Sequence, residues 1–405
     1  MRKQIVVLVA GLIFSIHASF VAETQAAGTD FKDVQSNHWA KKAIETAVDK
    51  GYFKGYADGT FKPNATVTRA EFAALLARVS KGEVSVNSTA SFTDLAGHWS
   101  EAEVKRAISF GFIQPSDYPN GFKPNTPITR FEIAKWMASG LAVADSGYKQ
   151  ALEDTKTTVI PVKEYFNPGI PESKSSYIAV AMGTKLLSGY PDGSFGMDNN
   201  ATRAETATIL LSFKSVRAQQ ADHFLGLQEL RQVGTERTNL ETISPFTTGN
   251  TSFNDVVDKT YTFKNNAGTL KLHNYIVVDT EDFKDINSIY APLFVDETDY
   301  IERIDKPGNY RVFMQMTIYP KASEFDLGDY MNGAMSPLLG SGRVGNENPK
   351  KYGYLTLPNF EAKKFFETHN TVDGITLWVK SNITPNLKWD EFKTDDKSYV
   401  ITKKK

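Results

Sequence analysis

Three times this chain writes Thr-Arg-x-Glu directly ahead of an apolar run. That recurrence constrains the fold more than any other feature. The copies are Thr68-Arg69-Ala70-Glu71, Thr129-Arg130-Phe131-Glu132 and Thr202-Arg203-Ala204-Glu205. A Thr followed three residues later by Glu at the head of an apolar stretch marks a capping box. The hydroxyl accepts from the backbone N–H three residues on, and the carboxylate reaches back to the Thr N–H. Thr68, Thr129 and Thr202 are therefore expected helix caps, with Glu71, Glu132 and Glu205 as their partners rather than acids for catalysis. Arg69, Arg130 and Arg203 fall at the first helical position. A guanidinium beside the positive end of a helix dipole suits an anion.

The chain aligned with itself extends the repeat in both directions. Phe31-Lys32-Asp33 and His38-Trp39-Ala40 open the first copy, and Phe92-Thr93-Asp94 and His98-Trp99-Ser100 the second. A helical stripe follows in each, through Ile44 and Ala47 or through Val104 and Ala107. Gly55-Tyr56-Ala57-Asp58-Gly59 makes a turn, since Asp-Gly supplies a left-handed position. The second copy replaces that turn with Pro115-Ser116-Asp117-Tyr118-Pro119. The third keeps it as Gly189-Tyr190-Pro191-Asp192-Gly193, but its opening has drifted. There Tyr165-Phe166-Asn167 stands for Phe-x-Asp, and Ser173 falls where the Trp should be. One helix, one turn-rich loop and one capped helix cannot bury an apolar face alone, so three such units should pack around a shared axis. Core packing and ligand stacking are both open to Trp39 and Trp99.

The combined spacing of Phe-x-Asp, His-Trp-Ala, Gly-Tyr-x-Asp-Gly-x-Phe and Thr-Arg-Ala-Glu resembles the S-layer homology module. The resemblance covers residues 28–213, in repeats at 28–85, 86–147 and 148–213. It implies an α-helical three-lobed spindle that holds a protein to secondary cell-wall polysaccharide, often through a pyruvylated sugar. A pyruvate ketal is a small carboxylate, which suits Arg69, Arg130 and Arg203. Trp39 or Trp99 would stack on the sugar, and Gly55 and Gly189 would let backbone approach it. Because the repeats have diverged, the three grooves should be unequal.

Residues 1–27 read as a secretory signal, with Arg2 and Lys3 ahead of the apolar run Ile5 to Ile16 and small residues at Ala26 and Ala27. The expected product is secreted to a bacterial wall or S-layer surface, with no transmembrane anchor after cleavage. The chain has no Cys, which excludes disulfides, thiolate metal sites and Cys nucleophiles. With 46 basic and 47 acidic side chains it carries no field that argues for nucleic acid. The turns at Asp58-Gly59 and Asp192-Gly193 lack the alternating acidic ligands of a calcium loop, so neither metal nor cofactor is expected.

Residues 214–239 read as a connecting helix that continues the third capped one and ends at Gly234. Residues 240–405 change character, to a mainly β (α+β) unit. Strands are expected at Leu270–Val278, Tyr310–Tyr319, Tyr354–Leu357, Ile375–Val379 and Tyr399–Thr402, with a helix at Phe360–His369. Gly333–Lys351 reads as a surface loop. Gly340-Ser341-Gly342-Arg343-Val344-Gly345 lacks the Lys-Ser/Thr of a phosphate loop, and His273 and His369 show no zinc spacing. Acidic pairs at Glu281/Asp282 and Asp395/Asp396 would serve a glycosidase only if folding set two carboxylates about 5–10 Å apart.

The leading reading is a wall-anchored surface protein whose C-terminal unit faces a surface protein or glycan partner. The alternative is a carbohydrate-active hydrolase on the same anchor. A calcium-dependent lattice protein ranks third.

Overall fold

A computed structural model describes residues 30–80, 91–280, 286–296, 310–321, 324–334, 339–340, 342–359, 364–384 and 386–404. The expected signal segment and the Glu281/Asp282 pair lie outside them. The helices ahead of the first strand are, in chain order, α1 (Lys41–Asp49), α2 (Arg69–Val79), α3 (Glu101–Ser109), α4 (Arg130–Ala144), α5 (Ser146–Asp154), α6 (Lys163–Phe166), α7 (Glu172–Gly183), α8 (Arg203–Arg217), α9 (Leu225–Glu236) and α10 (Leu240–Ile243). All three capping boxes form, so α2, α4 and α8 begin at the expected arginines.

The repeats close on themselves. Each capped helix packs against the helix that precedes the turn of the next repeat: α2 on α3, α4 on α7, and α8 on α1. At the centre, three backbone bonds form a ring. Val67 N–H donates to Ala201 O at 3.0 Å, Ala201 N–H to Ile128 O at 3.1 Å, and Ile128 N–H to Val67 O at 2.8 Å. Every member of the ring is buried, so each bond also satisfies polar groups that water does not reach. Phe61, Phe122 and Phe195, one per repeat, are fully buried around that axis.

Below them a carboxylate staples each loop. Asp33 accepts from Phe61 N at 2.8 Å and Lys62 N at 2.7 Å, and Asp94 from Phe122 N at 3.1 Å and Lys123 N at 2.7 Å. In the third repeat Glu164 does this, accepting from Phe195 N at 2.9 Å and Gly196 N at 2.7 Å. The alignment that put Asn167 at this place is thereby corrected. The bond from Lys163 N to Gly193 O at 2.8 Å copies that from Lys32 N to Gly59 O at 3.1 Å, which sets Glu164 opposite Asp33.

The run expected as one connecting helix is two pieces. Helix α8 stops at Arg217, a 3-10 turn spans Ala221–His223, and α9 starts at Leu225. Gly234 does not end α9; Arg237 does, in the left-handed region at φ 60°. Gly234 is small for packing, since a Cβ there would sit 1.9 Å from Asp154 O.

The C-terminal unit holds β1 (Phe246–Thr247), β2 (Thr260–Thr262), β3 (Gly268–Asp279), β4 (Tyr310–Pro320), β5 (Ile375–Ile383), β6 (Trp389–Lys393) and β7 (Ser398–Lys403). They form two antiparallel sheets, β2-β3-β4-β5 and β1-β7-β6. One face of the larger sheet meets the smaller across a core with Tyr275, Val277, Met314, Phe392 and Tyr399. Its opposite face carries Ile276, Val278, Phe313 and Trp378 into the core of the helical lobes. Phe294 seals this junction, stacked on Phe313 at 4.2 Å.

Four expected strands lie inside β3, β4, β5 and β7. Tyr354–Leu357 is not a strand; it contributes a single bridge, Thr356 to Trp378. Its apolar residues serve the interior without pairing, for Tyr354 lies 5.2 Å from Phe166 of the third repeat. The expected loop Gly333–Lys351 holds part of a short helix at Asn348–Tyr352. The helix expected at Phe360–His369 is described over Phe365–His369.

Candidate ligand-binding clefts at the lobe junctions

The capped helix starts do not present free amides. At α2, Thr68 N–H goes to Glu71 Oε2 at 2.8 Å and Glu71 N–H to Thr68 Oγ1 at 3.3 Å. The next repeat takes the other two: Arg69 N–H bonds Thr126 O at 2.9 Å and Ala70 N–H bonds Pro124 O at 3.0 Å. Helix α4 does the same with Asn199 and Met197, and α8 with Ala65 and Pro63. The amide half of the anion expectation is therefore corrected. Of the four orphan donors per helix, two are consumed in the capping box and two in joining lobes, which leaves the arginine side chains.

Each arginine reaches into the repeat that follows it in the ring. Arg69 donates from Nε to Glu132 Oε1 at 2.8 Å and from Nη1 to Phe122 O at 3.0 Å, with Nη2 2.7 Å from the same carboxylate oxygen. Arg130 donates to Phe195 O at 2.9 Å and Ser188 O at 2.7 Å, with Glu205 3.9 Å away. Arg203 donates from Nε to Phe61 O at 2.8 Å and from Nη2 to Lys54 O at 2.9 Å. All three bond the carbonyl of the axial Phe of the next repeat, Phe122, Phe195 or Phe61, but the sites differ in charge. Arg69 is paired, Arg130 is buried, and Arg203 has no ion pair among the described residues. Burial pulls the Arg203 guanidinium below its usual pKa.

A tyrosine stacks over each guanidinium: Tyr118 at 5.0 Å from Arg69, Tyr190 at 4.5 Å from Arg130 and Tyr56 at 5.0 Å from Arg203. Sequence reasoning treated these only as turn residues. The signal was present, because a Tyr recurs in all three turns even where the second copy loses its Gly-Tyr pair. Tyr118 also bonds Glu132, whose Oε1 it shares with Arg69.

Two clefts open beside these arginines. The first, of about 540 Å³, lies against Arg69, Tyr118, Glu132, Lys123 and Lys135. The second, of about 290 Å³, joins Arg203 to Phe53, Lys54, Glu71, Arg78 and Trp99. Residues from all three repeats meet in the second. Trp99 is 62% exposed and Trp39 67%, so neither packs a core. Each leans on the histidine before it, at 5.6 Å for His98 and 5.8 Å for His38. Trp39 and Gly55 line neither cleft. The space beside Gly55 is filled by its own repeat, where a Cβ would meet Phe31 Cε1 at 2.2 Å. Gly189 lines a third cleft, of about 320 Å³, between the third repeat and the C-terminal unit.

Among the described residues of 240–405, the candidate chemical groups make structural bonds. Asp395 holds β2, accepting from Thr262 N at 2.9 Å and Thr262 Oγ1 at 2.8 Å. His369 bonds the carbonyl of Phe365 at 2.8 Å. His273 sits at a bulge in β3, between Asp258 at 2.5 Å and Thr317 at 2.7 Å. Gly342 exchanges backbone bonds with Lys380, so this glycine-rich stretch caps the edge of β5. Among the described residues no group of three or more metal-ligating side chains converges, and no helix is long and apolar enough to cross a membrane.

Residues 30–73, 91–134 and 169–207 match the S-layer homology domain, and the chain carries three of them. No family matches the C-terminal region. The chain is 41% identical over 113 residues to cell surface glycoprotein 1 of Acetivibrio thermocellus, which is 25% of this chain and 5% of that protein. It is 36% identical over 107 residues to the cellulosome-anchoring protein of the same organism, 25% of this chain and 24% of the relative. It is 30% identical over 181 residues to an amylopullulanase of Thermoanaerobacterium thermosulfurigenes, 44% of this chain and 9% of the relative. The chain thus spans less than a quarter of each of these relatives.

Proposed function

We propose that the three lobes hold this protein non-covalently to secondary cell-wall polysaccharide on a bacterial surface, and that the Arg203–Trp99 cleft is the main grip. On this reading the chain is secreted, its first 27 residues are removed, and the C-terminal unit is displayed outward as an interaction or structural unit. The observation that carries the choice of cleft is the state of the three guanidiniums. Arg69 is neutralised by Glu132 at 2.7 Å and Arg130 is buried in its own lobe junction, whereas Arg203 keeps its charge for a ligand. A sugar carboxylate would pair with Arg203 while the ring stacks on the indole of Trp99.

Sedimentation with purified walls tests this. Binding should fall at least tenfold for Arg203→Ala and Trp99→Ala, and should vanish for all variants when ketal pyruvate is removed chemically. Unchanged sedimentation of Arg203→Ala would remove the cleft, and no sedimentation of the parent chain would remove the anchor.

The second reading is a carbohydrate-active hydrolase carried on the same anchor; the amylopullulanase among the relatives shares only the S-layer homology region with this chain, and supports no more than that such domains can accompany an enzyme. It requires new reducing ends when the full chain is incubated with wall glycans.

A further inference from the structure

The C-terminal unit closes one side of the third lobe, and the space left between them has a chemical character of its own. The cleft of about 320 Å³ is walled on one side by Ser188, Gly189 and Tyr190 of the third turn and on the other by Ser288, Pro292 and Tyr352. Its volume lies at the lower end of small-molecule sites, about 300–1,000 Å³, and junctions between packed units are where such sites concentrate. Lys185, exposed at its mouth, is the only charged side chain among the described residues that line it. The two other clefts each include a carboxylate, Glu132 in one and Glu71 in the other.

The corresponding turns of the first two repeats are covered by their own lobes. A Cβ on Gly59 would meet the Lys32 side chain at 3.2 Å, and one on Gly121 would meet Asp94 at 2.9 Å. A Cβ on Gly193 would instead come 3.0 Å from Tyr352 Cε1. The tyrosine is fixed there: it is 3% exposed, at the end of the short helix Asn348–Tyr352. Tyr190 is held from behind by Arg130 at 4.5 Å and by its hydroxyl bond to Glu205 at 3.2 Å. Two anchored aromatic residues, glycine backbone between them and one ammonium, with no carboxylate among the described lining residues, form a slot for a ring bearing a negative group.

We propose that this cleft is a second saccharide site, for an anionic sugar unit, in which the C-terminal unit supplies one wall. The inference rests on the wall-polysaccharide reading and deepens it. The displayed unit is then a reader of the glycan as well as a load on the anchor. The sugar ring lies between the Tyr190 and Tyr352 side of the slot and the turn backbone, and its carboxylate faces Lys185.

The test uses the full mature chain and a purified pyruvylated wall-polysaccharide fragment. The Arg203→Ala background isolates this cleft. Lys185→Ala removes the ammonium, and Ser188→Trp fills the mouth from an exposed position. Calorimetry should show residual binding in Arg203→Ala that falls at least fivefold when either change is added. Hydrogen exchange of residues 288–292 should slow with the fragment in Arg203→Ala, which a ligand confined to the lobes would not cause. Binding by the parent chain with neither change altering the residual affinity, and no slowing at 288–292, overturns the proposal and leaves the anchor intact. No binding by the parent chain overturns the anchor reading itself. Matching thermal unfolding of the variants and parent excludes misfolding as the cause of lost binding. Should Ser188→Trp unfold, Lys185→Ala alone decides.

Discussion

Arg69 and Glu132, 63 residues apart, meet at 2.8 Å across the junction of the first two lobes. The same carboxylate caps α4 through its other oxygen, with Thr129 N–H 3.1 Å away. One glutamate thus fixes a helix start and locks the neighbouring repeat. Their side chains are 17% and 14% exposed, between a surface pair and a buried one. Glu132→Gln should cost about 1–3 kcal/mol of stability. Denaturant unfolding of both single variants and of Arg69→Ala/Glu132→Gln should give a coupling energy clearly above zero. A coupling near zero would mean the pair holds nothing.

The Arg203 junction should show the reverse balance. Trp99 is exposed, so its replacement by Ala should leave stability within about 0.5 kcal/mol while wall binding falls. Arg69→Ala should do the opposite, lowering the unfolding midpoint more than the affinity. Paired measurements of midpoint and wall affinity on both variants check this, and parallel losses in both would contradict it.

A buried acid makes stability depend on pH. Glu229 of α9 is fully buried, and burial pushes its pKa up to about 7. Its carboxylate accepts from Asn239 Nδ2 at 2.8 Å, Ser288 Oγ at 2.7 Å and Ile289 N at 3.1 Å, which oppose that rise. In the unfolded chain it titrates near its ordinary value of 4.5. The folded pKa is the higher, so the contribution is fully present below 4.5 and is lost as pH rises through 7. The change is on the order of 3 kcal/mol. Glu229→Gln should flatten that slope. Urea midpoints at pH 5 and pH 7.5, corrected for the other carboxylates by this comparison, measure it.

What was legible in the sequence is what side chains announce. The capping boxes and the long strands β3 and β4 carry fixed-spacing or periodic signals. The ring through Val67, Ile128 and Ala201 carried none, because its bonds are backbone and any apolar residue would serve. The short strands β1, β2 and β6 are too brief for alternation to register and exist through their pairing. Gly234 misled for a related reason. A glycine late in a helix reads as a stop, yet here it admits the close approach of Asp154 O. The inequality of the arginines was also hidden, since it depends on how near Glu132 and Glu205 come to Arg69 and Arg130.

The staple of the third repeat offers the sharpest test of the repeat alignment. Glu164 sits on a short helical turn, Lys163–Phe166, whereas Asp94 sits on a 3-10 turn, Thr93–Leu95. The extra methylene makes up the reach to Phe195 N and Gly196 N. If Glu164 is the counterpart of Asp33 and Asp94, then Glu164→Ala, Asp33→Ala and Asp94→Ala each strand two backbone donors and should cost similar amounts, about 2–4 kcal/mol. Glu164→Asp should restore little, because the shortened carboxylate cannot meet both amides. Asn167→Ala should be within about 0.5 kcal/mol of the parent. Chemical denaturation of the five variants decides the matter, and an Asn167→Ala loss equal to that of Asp33→Ala would reinstate the drifted motif as the true third copy.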